Sequence, residues 1–331
     1  LNNNRPIVSS DTISTSGGIR DPHILRGADG YYYIVATDMN TVKNGWKDNP
    51  GIVMMRSADL VHWSHSKIVL KEAYKNFADA YWVWAPQTIY DRKAKKYMVY
   101  FTLQRTGDGR KSLITYYAYA NNNFTGFESE PKVLFSAKYG SIDNDIIERN
   151  GVYHLFYKGN IKNAEGKEIQ NGIQMATAKK LTGPWKEDFK FIDAYANQKT
   201  GVEGSGVFPL NDGSGYVLMY DLYGSGRYEY QTSRDLKTFT QKPQSFRKDF
   251  APRHGTVIPI TASEMERLQK QWDYVMEHEY TAKGNPLFTH MHTADPAALV
   301  ENDTLWLFTG VDEPGQHGTY VMRKWAVFST T

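Results

Sequence analysis

Three observations predict an all-β fold, a five-bladed β-propeller carrying one helix. A short polar motif recurs along the chain, and an aromatic-rich run follows each copy nine to thirteen residues later. The first four motifs begin at residues 21, 84, 143 and 203, intervals of 63, 59 and 60. Sixty strand-dense residues are the size of one four-stranded blade. The longest apolar stretches run six to eight residues, against the roughly 20 that cross a bilayer as a helix. With 331 residues, the chain has room for one large domain or two small ones.

The strands justify themselves in order. Asp21 precedes Tyr31-Tyr32-Tyr33-Ile34-Val35-Ala36, and Trp84 precedes Tyr97-Met98-Val99-Tyr100-Phe101. Asp143 leads to Val152-Tyr153-His154-Leu155-Phe156-Tyr157, Glu203 to Tyr216-Val217-Leu218-Met219-Tyr220, and Asp295 to Leu305-Trp306-Leu307-Phe308-Thr309. Aromatic and β-branched residues bounded by Gly, Asp or Asn read as strands. A third strand is expected in every copy, within residues 52–56, 112–120, 172–178, 228–233 and 320–329. A two-sheet sandwich has similar strand spacing, but it has no reason to repeat a polar motif with each unit. The helix is predicted from Ser263 to about Glu279, with Thr261 and Glu264 as a capping box. Met265, Leu268, Trp272, Val275 and Met276 form its expected packing stripe, and Gly284 lies beyond its end.

Composition removes whole classes of chemistry. There is no Cys, so disulfides, thiolate metal sites and cysteine nucleophiles are excluded. Lys and Arg total 39 against 36 Asp and Glu, with no block of like charge, so no nucleic-acid footprint is expected. At 40% apolar and 23% charged, the chain reads as folded rather than disordered. It opens at Leu1 and shows no signal peptide, which leaves a removed leader open as a reading.

The inner strands of a propeller line a central channel, so the motifs that begin them converge there. Three carboxylates are thereby expected in one funnel: Asp21 in Arg20-Asp21-Pro22-His23, Asp143 in Ser141-Ile142-Asp143-Asn144, and Glu203 in Val202-Glu203-Gly204. Buried carboxylates are expensive unless paired, bonded or used. Two facing one cavity are the minimum apparatus for cleaving a glycosidic bond: one delivers a proton and the other activates water. A third beside the acid raises its pKa by like-charge repulsion. Asp145 is a rival to Asp143, because two residues along a strand return to the same face.

The ordered set Arg20-Asp21-Pro22-His23, Trp84-Ala85-Pro86-Gln87, Ser141-Ile142-Asp143, Val202-Glu203-Gly204 and Pro252-Arg253-His254-Gly255-Thr256-Val257 resembles glycoside hydrolase family 43. The resemblance implies a five-bladed propeller and inverting hydrolysis of plant cell-wall polysaccharides or oligosaccharides. It implies Asp21 as general base, Asp143 as pKa modulator and Glu203 as proton donor. His254 matches the family's central histidine, which implies either a core residue or a neighbour of a calcium or water cluster. No cofactor is expected to be required, and a structural calcium at His254 is an open expectation. Trp84, Trp82 and His23 are expected to bind the sugar, with core packing as the alternative for the tryptophans.

The resemblance implies α-L-arabinofuranosides or β-D-xylosides cleaved from a chain end as substrates, with β-galactosides as an alternative. A non-catalytic carbohydrate-binding propeller is the competing class, and a protein-contact propeller would not need three inner acids. The protein is expected to be a periplasmic or extracellular monomer without a membrane span. By domain, residues 1–260 supply four blades and the histidine strand, and 261–284 the helix and linker. Relatives carry strands ahead of the Arg-Asp-Pro motif, where this chain has little. Residues 285–331, which contain Ala294-Asp295-Pro296, are expected to complete the fifth blade. The other reading makes them the truncated start of a second, similar domain.

Overall fold

The computed structural model describes residues 6–47, 49–162, 168–195, 200–246, 253–272, 293–314 and 320–330. The chain divides into two units, Leu1–Tyr274 and Val275–Thr331. The described residues are all-β in class. The first unit holds four antiparallel four-stranded meanders. These are β1 (Ile19–Arg26), β2 (Tyr32–Asp38), β3 (Gly51–Ser57) and β4 (Ser64–Val69); then β5 (Ala80–Asp91), β6 (Lys96–Arg105), β7 (Ile114–Tyr119) and β8 (Lys132–Phe135). The third sheet is β9 (Ser141–Arg149), β10 (Val152–Lys162), β11 (Glu168–Ala178) and β12 (Lys186–Phe191). The fourth is β13 (Glu203–Pro209), β14 (Tyr216–Leu222), β15 (Arg227–Ser233) and β16 (Gln244–Ser245). In each, strand order follows chain order, as a blade requires and a two-sheet sandwich does not.

The core lies between the sheets, and the strand pattern explains why. Along β6, Val99, Phe101 and Leu103 pack with Val35, Ile52 and Met54 of the first sheet. The alternate residues Met98 and Tyr100 pack with Ile146, Leu155 and Tyr157 of the third. Successive side chains point to opposite faces, and both faces are covered, so the strand reads as one continuous apolar run. β10 does the same, sending Leu155 and Tyr157 one way and Phe156 the other, toward Leu218 and Tyr220. Truncating one such aromatic to Ala costs about 3–5 kcal/mol. The turns after β3 and β15 also repeat: Ser57 and Ser233 hydroxyls accept the N–H groups of Leu60 and Leu236, each in a left-handed conformation.

The repeat extends to a backbone irregularity that spacing alone did not foretell. The inner strands β1, β5, β9 and β13 are neighbours from sheet to sheet, and each carries one extra residue at the same place in its ladder. Arg20 pairs with Thr37 and His23 with Val35; Trp84 with Thr102 and Gln87 with Tyr100. Ile142 pairs with Lys158 and Asp145 with Phe156; Glu203 with Asp221 and Gly206 with Met219. The residue entering each bulge has positive φ: Asp21 50°, Ala85 42°, Asp143 54° and Gly204 67°. A bulge bends the strand and re-aims its side chains, and left-handed positions favour Asp, Asn and Gly.

The predicted helix is Ala262–Trp272 among the described residues; Val275, Met276, Gly284 and the rest of 273–292 lie outside them. Its capping box is present: Glu264 Oε2 accepts the Thr261 N–H at 2.7 Å, and Thr261 Oγ1 accepts the Glu264 N–H at 3.3 Å. Of the expected apolar stripe, Leu268 and Trp272 are half-buried. Met265 is exposed, and the helix's buried residue is Glu264, which binds Arg26 at 2.6 Å and the Tyr32 hydroxyl. An ion pair and a cap hold this helix end beside that partial apolar burial. Among the described residues, three single-turn α-helices occur elsewhere, at Ser10–Ile13, Thr41–Asn44 and Leu70–Ala73.

The second unit holds one antiparallel sheet of β17 (Thr293–Glu301), β18 (Thr304–Pro314) and β19 (Tyr320–Thr330). It has the same bulge, with Ala294 opposite Gly310, Ala297 opposite Phe308, and Asp295 at φ 50°. Large apolar residues on it stay open to solvent, including Leu299, Val300, Trp306, Phe308, Trp325 and Val327.

Candidate active site

The bulges bring the expected acids together around one imidazole. His254, itself left-handed at φ 50°, places Nδ1 2.9 Å from Asp21 Oδ1. Its Nε2 faces Glu203 Oε1 at 3.5 Å, and Asp143 Oδ2 and Asp221 Oδ2 at 3.9 Å each. Gly204 seats the ring: a Cβ there would lie 2.5 Å from His254 Cδ2. The Gly204 N–H also donates to Asp143 Oδ2 at 2.9 Å, so one glycine fixes both the histidine and the third acid. Asp21 Oδ2 accepts the Thr37 hydroxyl at 3.0 Å, and Thr37 Oγ1 in turn accepts the Ala85 N–H from the second sheet.

The electrostatics separate the acids. Burial alone would raise Asp21, but the hydrogen bond and charge of His254, with Arg20 and Thr37, hold it below the ordinary carboxylate value. Asp143 is pushed up to about 6, chiefly by burial, with Glu203 and Asp21 adding repulsion against the pull of His254. Burial favours neutral His254, but the surrounding carboxylates prevail and raise it well above the usual histidine value. Glu203 departs from expectation. Burial would raise it, yet His254, Lys158 and Arg253 hold it low. Arg253 Nη2 is 2.9 Å from its Oε1 and Lys158 Nζ 3.6 Å from its Oε2. Asp143 lies within 4.8 Å of Glu203 as expected, but three cations outweigh its repulsion.

Other expectations are corrected. The bulge breaks the two-residue alternation between Asp143 and Asp145, so they do not share surroundings. Asp143 faces His254, whereas Asp145 accepts the Val207 N–H and is pushed up to about 7 by burial. His23 is buried, with its Nδ1 accepting the Thr88 N–H at 3.3 Å, and burial lowers it to about 3. It braces β1 against β5 and is not open to a sugar. Trp84 and Trp82 are half-buried and meet edge to face at 5.4 Å, and Trp46, unnoticed in the sequence, lies 5.9 Å from Trp84. Asp221 was also missed. It ends the apolar run of β14, outside the repeated motifs, so no spacing signal marks it.

Asp143, Glu203 and His254 each bring one donor atom within 4.8 Å of the others. The set does not fit calcium, which takes six to eight oxygens. One donor is a nitrogen whose carboxylate neighbours favour the protonated ring, and Glu203 is engaged by Arg253 and Lys158.

A family model for a probable glycosyl hydrolase domain, related to family 43, matches residues 1–266. An α-L-arabinofuranosidase of Bifidobacterium longum subsp. longum is 24% identical over 288 residues, a match covering 74% of this chain and 26% of that protein. The chain thus matches about a quarter of that relative's length. The α-L-arabinofuranosidase structure from Lactobacillus brevis has a TM-score of 0.50 at 15% identity, covering 99% of this chain and 92% of that one. A family 43 enzyme from Xanthomonas citri, complexed with xylose, has a TM-score of 0.53 at 15% identity, covering 96% and 92%. The likeness to these structures is one of fold.

Proposed function

The chain belongs to the glycosyl hydrolase family 43-related family, and from that premise we propose an inverting glycosidase with Asp21 as base and Glu203 as acid. The observation that carries this reading is the His254 ring standing between the two carboxylates, bonded to Asp21 on one side and facing Glu203 on the other. An intervening ring suits the inverting separation of about 6.5–9.5 Å rather than the 5–5.5 Å of a retaining pair. Asp21, held ionised, takes a proton from water as the water oxygen bonds to the anomeric carbon. Glu203 gives its proton to the departing oxygen as the glycosidic bond breaks. The cations around Glu203 favour its ionised form in the open site; a bound sugar excludes water and favours the protonated form. Asp143 opposes ionisation of Glu203 from beside it. No step needs a metal, and a chelator should leave turnover unchanged.

The substrate we propose is a terminal α-L-arabinofuranoside, after the two arabinofuranosidases the chain resembles. The xylose complex of the Xanthomonas citri enzyme favours a second reading, a β-D-xyloside. Release from aryl α-L-arabinofuranoside, β-D-xyloside and β-D-galactoside decides between them, and proton NMR of the first-formed sugar reads the stereochemistry. No release from any of the three, or retention of configuration, overturns the proposal.

We further propose five blades, since all five sheets open on the same bulge. The separation of Val275–Thr331 as its own unit favours a second reading, in which residues 285–331 begin another domain of this kind. A chain ending at Tyr274 should fail to fold if the fifth sheet completes the first unit, and keep its thermal transition and activity if it does not.

A further inference from the structure

Asp221 pairs with Glu203 across β13 and β14, and its side chain is only 1% exposed. Its strand neighbours Leu218, Tyr220 and Leu222 are fully buried apolar or aromatic residues, so packing alone gives no reason for a carboxylate here. Its Oδ2 receives the Arg253 Nε–H, and the same guanidinium donates from Nη2 to Glu203 Oε1 at 2.9 Å. Arg253 itself is 47% exposed and sits in a segment without regular structure, so its backbone does not fix where the guanidinium points. The strand that carries Asp221 does. His254 Nε2 lies 3.9 Å from the same Oδ2, which makes Asp221 the fourth carboxylate of the cluster.

We infer that Asp221 is a positioning residue for the proton donor: it anchors Arg253 so that one guanidinium N–H orients Glu203 Oε1, and its charge offsets the guanidinium beside Glu203. The inference rests on the reading of Glu203 as the acid. An anchored fork is specific in direction, because the planar guanidinium presents Nε–H and Nη2–H side by side. Without the anchor, Glu203 would face a mobile, uncompensated cation, and protonation of the leaving oxygen would suffer most.

The test is leaving-group dependence. Asp221→Asn keeps the size and an acceptor for Arg253 Nε while removing the charge; Asp221→Ala removes both. On a phenyl glycoside of the preferred sugar, Asp221→Ala should lower kcat about 10- to 100-fold with little change in KM. On the dinitrophenyl glycoside, which needs little protonation, the loss should stay below about threefold. Asp221→Asn should fall between parent and Asp221→Ala on the phenyl substrate. Added to Glu203→Gln, it should cost almost nothing more, since both act on one proton transfer. Thermal unfolding monitors the fold, and Asp221→Asn carries the test if Asp221→Ala does not fold. Equal losses on both leaving groups, full additivity with Glu203→Gln, or unchanged kinetics would overturn the inference. A parent protein inactive on every glycoside would instead overturn the glycosidase reading.

Discussion

Asp21 and Asp295 occupy the same point of the same local structure. Each precedes a proline, enters a bulge on the first strand of its sheet, and has φ of 50°. Asp21 is buried between Thr37 and His254, whereas Asp295 is exposed on a sheet whose apolar faces are open. The bulge aims a carboxylate; the groups gathered around it decide whether it is a base. Sequence repeats encode the first part. The second depends on residues brought from 16 and more than 200 positions away.

Substitutions should separate the two aspartates. Asp21→Asn removes the proposed base while keeping a residue that tolerates its φ, so turnover should fall about 10²–10⁴-fold with either leaving group. Glu203→Gln should show a comparable loss on a phenyl glycoside and far less on a dinitrophenyl one. Equal losses for both substrates would remove Glu203 from the acid role. Gly204→Ala should destabilise by about 1–3 kcal/mol, because its methyl meets His254 and its φ is left-handed. Activity should fall with it, read by calorimetry beside kinetics.

A subtler contrast lies in pH. Asp143 rises from 3.8 unfolded to about 6 folded, so the native state binds more protons in that window. Its stability contribution is therefore fully present below about pH 4 and lost as pH rises toward 6, on the order of 3 kcal/mol. Asp143→Asn should flatten the stability curve there in urea titrations, and a parent already flat would contradict the burial argument. The smallest effect expected is at Asp295. Asp295→Asn should change stability by less than about 0.5 kcal/mol and leave turnover unchanged, and a loss like that of Asp21→Asn would give the second sheet system a role in catalysis.

The legible parts of this molecule were those that repeat. Strand runs, the three acids and the capping box at Thr261 all announce themselves through period or fixed offset. What stayed hidden depends on single insertions and remote partners. The extra residue at each bulge changes which face Asp145 shares, and alternation cannot register it. It also puts Glu203 one residue ahead of the left-handed position that Asp21 and Asp143 hold. His254, with Lys158 and Arg253, reverses the expected direction for Glu203 from 51, 45 and 50 residues away, and Asp221 is one acidic letter at the end of an apolar strand. Glu264, predicted as a cap, gave no sign that it would also bind Arg26.

That last contact ties the first sheet to a residue 238 positions later in the chain. His254 lies just ahead of it. During synthesis at 5–20 residues per second, Asp21 therefore waits roughly 10–50 s for its histidine. Until His254 emerges, the carboxylates that face it lack that ring, and the latch that joins early and late segments has not been made. The four sheets can pack pairwise as they emerge, since their cores are local to neighbouring meanders. The chemistry cannot. A chain interrupted before His254 would hold much of its hydrophobic core and lack the ring its carboxylates face, so activity reports synthesis through His254 where a folding probe does not.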